Sequence, residues 1–148
     1  MAAGEIVAVC ISKDRGQLKD EIPEGRFIEN FGIENDGHGG DWDRQVSLLA
    51  AEDIHWAVEK YDLKVKPGDF AENIITKDIN LASLPIGARI QVGSEAILEV
   101  TQFGKEAHES IVTRTLGVSL IPDVGVFARV VKGGPVRAGD AIEVLEGV

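Results

Sequence analysis

The second half of the chain is a succession of short β-rich runs separated by glycine-containing turns, and this pattern restricts the fold most strongly. The turns contain Gly87, Gly93, Gly133, Gly134 and Gly139. The β-rich runs cover residues 70–75, 89–92, 96–101, 126–131 and 141–145. Many short strands joined by glycine turns are typical of sheets that close on themselves. We therefore predict a mainly β protein, a closed or nearly closed β-barrel with a few peripheral helices.

The first half of the chain combines an apolar run, a helical pattern and a long polar segment. Residues 5–12 are apolar and β-rich without helical caps, which predicts a strand buried on both faces. Residues 51–61 have apolar side chains at helical spacing, acidic residues in the first turn and a lysine near the end, which predicts a helix. A Lys-Pro-Gly-Asp turn follows at 66–69. The polar segment 13–44 is too long for a structureless loop, so we expect it to be partly stranded or functional.

Composition restricts the class of partner. The net charge of −10 at pH 7 argues against nucleic acid, because such proteins neutralise phosphates with basic patches. No apolar run approaches the roughly 18 residues of a membrane span, and residues 1–5 do not resemble a secretory signal. The single cysteine, Cys10, allows no internal disulfide. We expect one domain over residues 1–148, located in the cytoplasm, with neither nucleic acid nor a membrane as a partner.

The segment from Gly32 to Gly40 contains four glycines in nine residues and leads directly into the apolar run 45–49. Such a cluster indicates positive φ angles or a close approach of the backbone to another group. His38 and Arg44 lie in or beside it, together with several carboxylates. A binding loop on a packed scaffold and an ordinary polar surface loop both fit this composition.

The same segment does not have the pattern of a metal site. His38 stands where an EF-hand loop requires an oxygen ligand. Zinc sites use paired His or Cys ligands, whereas His38, His55 and His108 are far apart in the sequence. The sequence therefore predicts no metal held by protein side chains alone.

Three further residues have open interpretations. The amide of Asn73 can donate and accept hydrogen bonds, which suits either the edge of a heterocycle or a structural turn. Strand alternation places Arg129 on the face of Phe127, where it lies either in a polar pocket or on the outside of the barrel. Cys10 lies within an apolar strand, which predicts a buried and unreactive thiol.

Taken together, several segments resemble the MOSC domain, a family named after the C-terminal domain of molybdenum cofactor sulfurases. The resemblance is greatest to small stand-alone bacterial members and rests on residues 32–40 with 44–49, 68–74, 84–93, and 125–130 with 133–140. It implies a β-barrel, in agreement with the strand pattern. Members of the family are associated with binding the molybdenum cofactor, with sulfur transfer through a cysteine persulfide, and with reduction of N-hydroxylated compounds.

The chain departs from that resemblance at one position. Related domains often read Gly-Lys-Glu-Cys-His, where this chain has Gly-Lys-Glu-Ala-His at residues 104–108. Ala107 therefore occupies the place of the expected catalytic cysteine, and a methyl group can neither form a persulfide nor bind a metal. We accordingly predict no catalytic residue.

The resemblance implies that the chain binds the molybdenum cofactor (molybdopterin) as a carrier or insertion partner in cofactor biosynthesis. Its partner would be a molybdoenzyme or a protein of that pathway. The implied cofactor-binding residues are those around the glycine-rich loop: His38, Arg44, Asn73, Lys105 and His108. Two alternatives stay open, namely a molybdenum-dependent oxidoreductase acting on N-hydroxylated substrates and a degenerate domain that acts through protein contacts alone.

Overall fold

The computed structural model describes residues 3–145, and within them the chain forms eleven strands and three α-helices. The helices are α1 (Ala51–Tyr61), α2 (Ile111–Leu116) and α3 (Ile121–Val124), and a short 3₁₀ turn covers Leu81–Ser83. The strands are β1 (Ala3–Ile11), β2 (Asp20–Ile22), β3 (Gly25–Ile28), β4 (Gly32–Ile33), β5 (Val46–Ala50), β6 (Ile74–Lys77), β7 (Arg89–Val92), β8 (Ala96–Phe103), β9 (Val126–Lys132), β10 (Gly134–Val136) and β11 (Ala141–Val144).

Seven of the described strands close into a barrel in the order β11-β7-β8-β9-β5-β6-β1. Closure comes from β11 pairing with the beginning of β1, with Ala3 opposite Glu143 and Glu5 opposite Ala141. The far end of β1 pairs instead with β2, which extends the sheet beyond the barrel. Only the β5–β6 pair is parallel among the described pairings, and α1 provides its crossover. The predicted closed β-barrel is confirmed.

The barrel is filled by aliphatic side chains that alternate along its strands. The fully buried members include Ile6, Leu48, Ile90, Leu98 and Ile142. Burying a side chain of this size contributes about 1.5–3 kcal/mol relative to leaving it exposed. A second apolar cluster lies outside the barrel, where Leu49 and Phe70 pack with residues of all three helices and their flanking loops.

The helices cover one side of the barrel. The predicted helix at 51–61 is confirmed as α1, which ends at Asp62 in the left-handed conformation. Helix α2 begins with a capping box between Ser110 and Thr113 and ends at Gly117, whose φ is 81°. The sequence patterns did not predict α2 or α3, because six and four residues are too short to establish a helical period.

Three strands, β2, β3 and β4, lie in the polar segment 13–44, so that segment is partly stranded as expected. The strand predicted at 70–75 is wrong over residues 70–73, because β6 begins only at Ile74. Phe70 ends a turn, and Ala71 has a φ of 64°, which is incompatible with a strand. Among the described residues, no helix is long and apolar enough to cross a membrane.

Candidate functional site

A cavity of about 380 Å³ lies on the outer side of the barrel, beside the glycine-rich segment. It is bounded by the loop before β2, by His38, by the loop 104–110 and by α2. Its apolar wall consists of Phe70, Ala71, Ile111, Val112, Ile121, Pro122 and Phe127. The volume is at the lower end of the range for small-molecule sites.

The charge around this cavity is opposite to that of the whole chain. Four cationic side chains are among the described residues that line it, and Glu109 is the one carboxylate among them. The cations are Arg15, Lys19, Lys105 and Arg114. The chain as a whole has a net charge of −10. Lys19 is neutralised by its buried partner Asp36, so the positive charge of the cleft comes from Arg15, Lys105 and Arg114. This local charge attracts an anion even though the protein is acidic.

His38 is held in one orientation at the cavity. Its Nδ1 lies 3.0 Å from the carbonyl oxygen of Arg44, which accepts a hydrogen bond, so Nδ1 carries the proton of the neutral ring. Burial lowers the pKa of His38 to about 4, and the nearby charges of Lys19 and Arg15 act in the same direction. The ring is therefore neutral at pH 7, and its Nε2 has an unshared pair that can accept a hydrogen bond from a ligand.

A buried polar network lies beneath the cavity. The ammonium of Lys19 is 2.7 Å from Asp36 Oδ1 and donates to Ser12 Oγ at 3.1 Å. Asn73 Nδ2 donates to Asp36 Oδ2 at 3.1 Å, and Asn73 Oδ1 accepts from the backbone and hydroxyl of Ser47. All five residues are buried. The network joins four separate parts of the chain into one floor, namely residues 12–19, Asp36, β5 and the residue before β6.

The glycines of the segment 32–40 allow close contacts with other parts of the backbone. A Cβ on Gly37 would lie 2.6 Å from the Cα of Asp14, and one on Gly39 would lie 2.5 Å from the ring of Phe31. Gly37 also donates its N–H to the Ser12 carbonyl at 2.7 Å. The close backbone approach indicated by the glycine cluster is therefore present, and it brings the loop before β2 against the cavity.

Three of the predicted cofactor-binding residues, His38, Lys105 and His108, line this single cavity. Arg44 lies beside it, where its Nε donates to Gln102 and its guanidinium is 5.4 Å from the ring of Phe127. Burial lowers the pKa of Lys105, and the neighbouring charge of Arg44 lowers it further. An anion bound here would relieve that repulsion.

The structure places Asn73 differently from the other four residues. Its side chain is fully buried, and its amide oxygen and nitrogen both bond to protein groups, including the Cys10 carbonyl. Of the two interpretations of Asn73, the geometry supports the structural one. Ligand contact by Asn73, Arg44 and the three cavity residues stays a prediction.

Sequence reasoning missed Arg15, Lys19 and Arg114 as cavity residues. They lie in a loop and a short helix that share the cavity with His38 only in the folded chain.

The prediction of a buried and unreactive Cys10 agrees with the structure, since the thiol is fully buried and burial raises its pKa. Ala107 is exposed in the loop between the two cavity residues Lys105 and His108. Within residues 3–145, no group of three or more His, Cys, Asp and Glu side chains forms a metal cluster.

Comparison with known proteins agrees with this architecture. The MOSC domain model matches residues 34–143, well over half of the chain. The YuaD protein from Bacillus subtilis superimposes with a TM-score of 0.75 at 18% identity, over 96% of this chain and 95% of that one. YiiM from Geobacillus stearothermophilus has a TM-score of 0.74 at 17% identity, over 97% of this chain and 75% of that one.

YiiM from Escherichia coli has a TM-score of 0.71 at 22% identity, over 99% of this chain and 71% of that one. At these identities the similarity to solved structures shows the fold alone. No curated protein sequence matches the chain. The match to the family model over residues 34–143 and the closed barrel together show that the chain belongs to the MOSC domain family.

Proposed function

We propose that the cavity binds the molybdenum cofactor and that the protein acts as its carrier or insertion partner, without sulfurating it. The observation that carries this proposal is the concentration of positive charge around one cavity of a strongly acidic MOSC protein. The family is associated with this cofactor, which combines a flat pterin with an anionic phosphate.

The residues of the cavity fit such a group. Arg15, Lys105 and Arg114 provide charged donors for a phosphate, and an arginine can bond two phosphate oxygens at once. Ala71, Ile111 and Pro122 are half-buried in the lining and offer apolar surface to a flat ring. The neutral His38 would accept a hydrogen bond from a ring N–H through Nε2. When bound, the cofactor would supply a redox-active molybdenum atom.

The same residues offer no sulfur chemistry. Cys10 is the one cysteine in the sequence, and in the fold it is fully buried in β1. The expected cysteine position holds Ala107, whose methyl group cannot accept or donate a sulfur atom. A binding role that hands the intact cofactor to a molybdoenzyme or to a biosynthesis protein therefore fits better than sulfur transfer. We place this role in the cytoplasm, consistent with a free thiol.

Metal and pterin analysis of the purified protein, after incubation with cofactor in a reducing buffer, tests the proposal. We expect near-stoichiometric molybdenum and pterin in the wild type and in Arg89→Gln, a control that removes an arginine outside the cavity. Lys105→Met and Arg114→Gln should lose both.

Absence of molybdenum and pterin from folded wild-type protein would refute cofactor binding and favour a domain that acts through protein contacts. If the cofactor-loaded wild type reduces an N-hydroxylated substrate in a molybdenum-dependent reaction, the carrier role is refuted and the protein is an oxidoreductase.

A further inference from the structure

The loop of residues 34–45 is attached to the barrel in different ways at its two ends. Residues 34–45 contain neither strand nor helix. Near its beginning, Asp36 is buried and accepts a hydrogen bond from the backbone of Ser12. Near its end, the exposed carboxylates of Asp41 and Asp43 pair with Arg129 on β9. The second attachment therefore includes charged side chains at the surface, beside hydrogen bonds from Thr101 Oγ1 to the Asp43 carbonyl and from the Val130 N–H to Gln45.

Arg129 lies on the outside of the barrel, since its strand neighbours Ala128 and Val130 belong to the barrel core. One guanidinium nitrogen pairs with the Asp41 carboxylate and also donates to Asn30 Oδ1. The other lies 3.3 Å from Asp43 Oδ1. The planar guanidinium thus bridges both carboxylates, which a single ammonium cannot do with the same geometry.

Trp42 lies between these two carboxylates in the sequence and connects them to the cavity. Its indole N–H donates to the His38 carbonyl at 2.9 Å, and its ring centre is 4.9 Å from that of His38. The guanidinium of Arg15 also contacts this residue, 4.3 Å from the centre of the Trp42 ring. His38 and Arg15 both line the cavity, whereas Arg129 does not.

We propose that Arg129 is a positioning residue, which fixes Trp42 through Asp41 and Asp43 and thereby holds His38 and Arg15 in the wall of the cavity. Exposed ion pairs of this kind contribute little to global stability. A loop segment, however, can open without the rest of the domain unfolding. The loss of Arg129 should therefore change the order of this wall more than the stability of the barrel. The inference rests on the proposed function only in treating the cavity as the ligand site.

The test uses a Trp56→Phe background, in which Trp42 is the one remaining tryptophan of the two in the sequence. Acrylamide quenching reports the exposure of Trp42, and an NMR titration reports the pKa of His38. In Arg129→Gln we expect increased quenching and a shift of that pKa from about 4 toward the ordinary 6.5, because the ring gains water. Arg129→Lys should restore these values in part.

Arg89→Gln is the matched control, because it breaks another partly exposed arginine–carboxylate pair, that of Arg89 on β7 and Glu99 on β8, away from the loop. If Arg129→Gln does not fold, the double variant Asp41→Asn/Asp43→Asn removes the same two ion pairs by changing their exposed carboxylates. The same quenching and pKa measurements on that variant then test the proposal. Wild-type quenching and an unchanged His38 pKa in a folded variant would overturn the proposal, as would equal changes in Arg89→Gln. Neither readout needs a ligand, so this failure is distinguishable from a failure to bind cofactor.

Discussion

The buried ion pair beneath the cavity makes the sharpest prediction about stability. Lys19 and Asp36 have side chains that are 3% and 0% exposed, and their charged atoms are 2.7 Å apart. Replacing Lys19 with methionine keeps the apolar stem but leaves the Asp36 carboxylate buried without its counter-charge. Breaking a buried pair in this way typically costs about 3–5 kcal/mol.

The remaining contacts of Asp36 place the expected loss at the lower end of that range. Its carboxylate still accepts hydrogen bonds from the Ser12 backbone and from Asn73 Nδ2, each at 3.1 Å. Both hydrogen bonds persist in the variant, and since hydrogen bonds to a charged acceptor contribute about 1.5–3 kcal/mol each, the carboxylate stays partly compensated. We therefore expect the free energy of unfolding to fall by about 3 kcal/mol, at the lower end of the range for a broken buried pair.

Urea unfolding measures this change directly. With a denaturant dependence of about 2 kcal/mol per molar urea, typical of small domains, the midpoint should fall by about 1.5 M. Lys77→Met is the control, since Lys77 and Glu5 are 3.8 Å apart and both 46% exposed. That exposed pair should contribute less than about 1 kcal/mol.

The double variant Lys19→Met/Asp36→Asn removes the uncompensated charge and should regain part of the lost stability. If the Lys19 variant is no less stable than the Lys77 variant, or if the double variant regains nothing, the electrostatic reasoning is wrong.

The other predictions concern titration and thiol chemistry. Burial raises the pKa of Glu72 to about 7 from 4.5, so its stabilising contribution is complete below pH 4.5 and is lost as the pH rises through 7. Glu72→Gln should therefore unfold at a urea midpoint that depends less on pH between 5 and 8 than the wild-type midpoint; parallel curves would contradict this. Cys10 should not react with Ellman's reagent in the native protein, but should react once urea unfolds the chain. Ala107→Cys should add one thiol that reacts in the native state, because position 107 is exposed; an unreactive thiol would contradict that placement.

The sequence predicted those strands and helices whose apolar side chains follow a clear period. The strand β7 and the helix α1 have the predicted bounds, because alternation and helical spacing are both strong there. Residues 70–73 were mispredicted because a local hydrogen-bond pattern outweighs their apolar character. The buried carboxylate of Glu72 accepts hydrogen bonds from the backbone N–H groups of Gly68 and Phe70, which closes a turn where the apolar pattern indicated a strand.

The cavity could be predicted only in part, since its cations come from separate segments. His38 and Lys105 were identified by their motifs, while Arg15 and Lys19 belong to a loop with no motif of its own. That loop reaches the cavity because Gly37 has no side chain where it meets the backbone of Asp14. The sequence identifies Gly37 as a position of close backbone approach, but it does not identify Asp14 as the residue that approaches.

The residues that form the cavity are distinct from position 107, where the family resemblance places a reactive cysteine. The buried network of Lys19, Asp36 and Asn73 forms the floor, whereas position 107 lies in the exposed loop between the lining residues Lys105 and His108. An alanine at position 107 leaves every hydrogen bond of that network in place. None of the lining cations depends on a thiol for its position, so the positive cavity is present with an alanine at position 107. The charge that the proposed binding role requires is therefore independent of the residue at position 107.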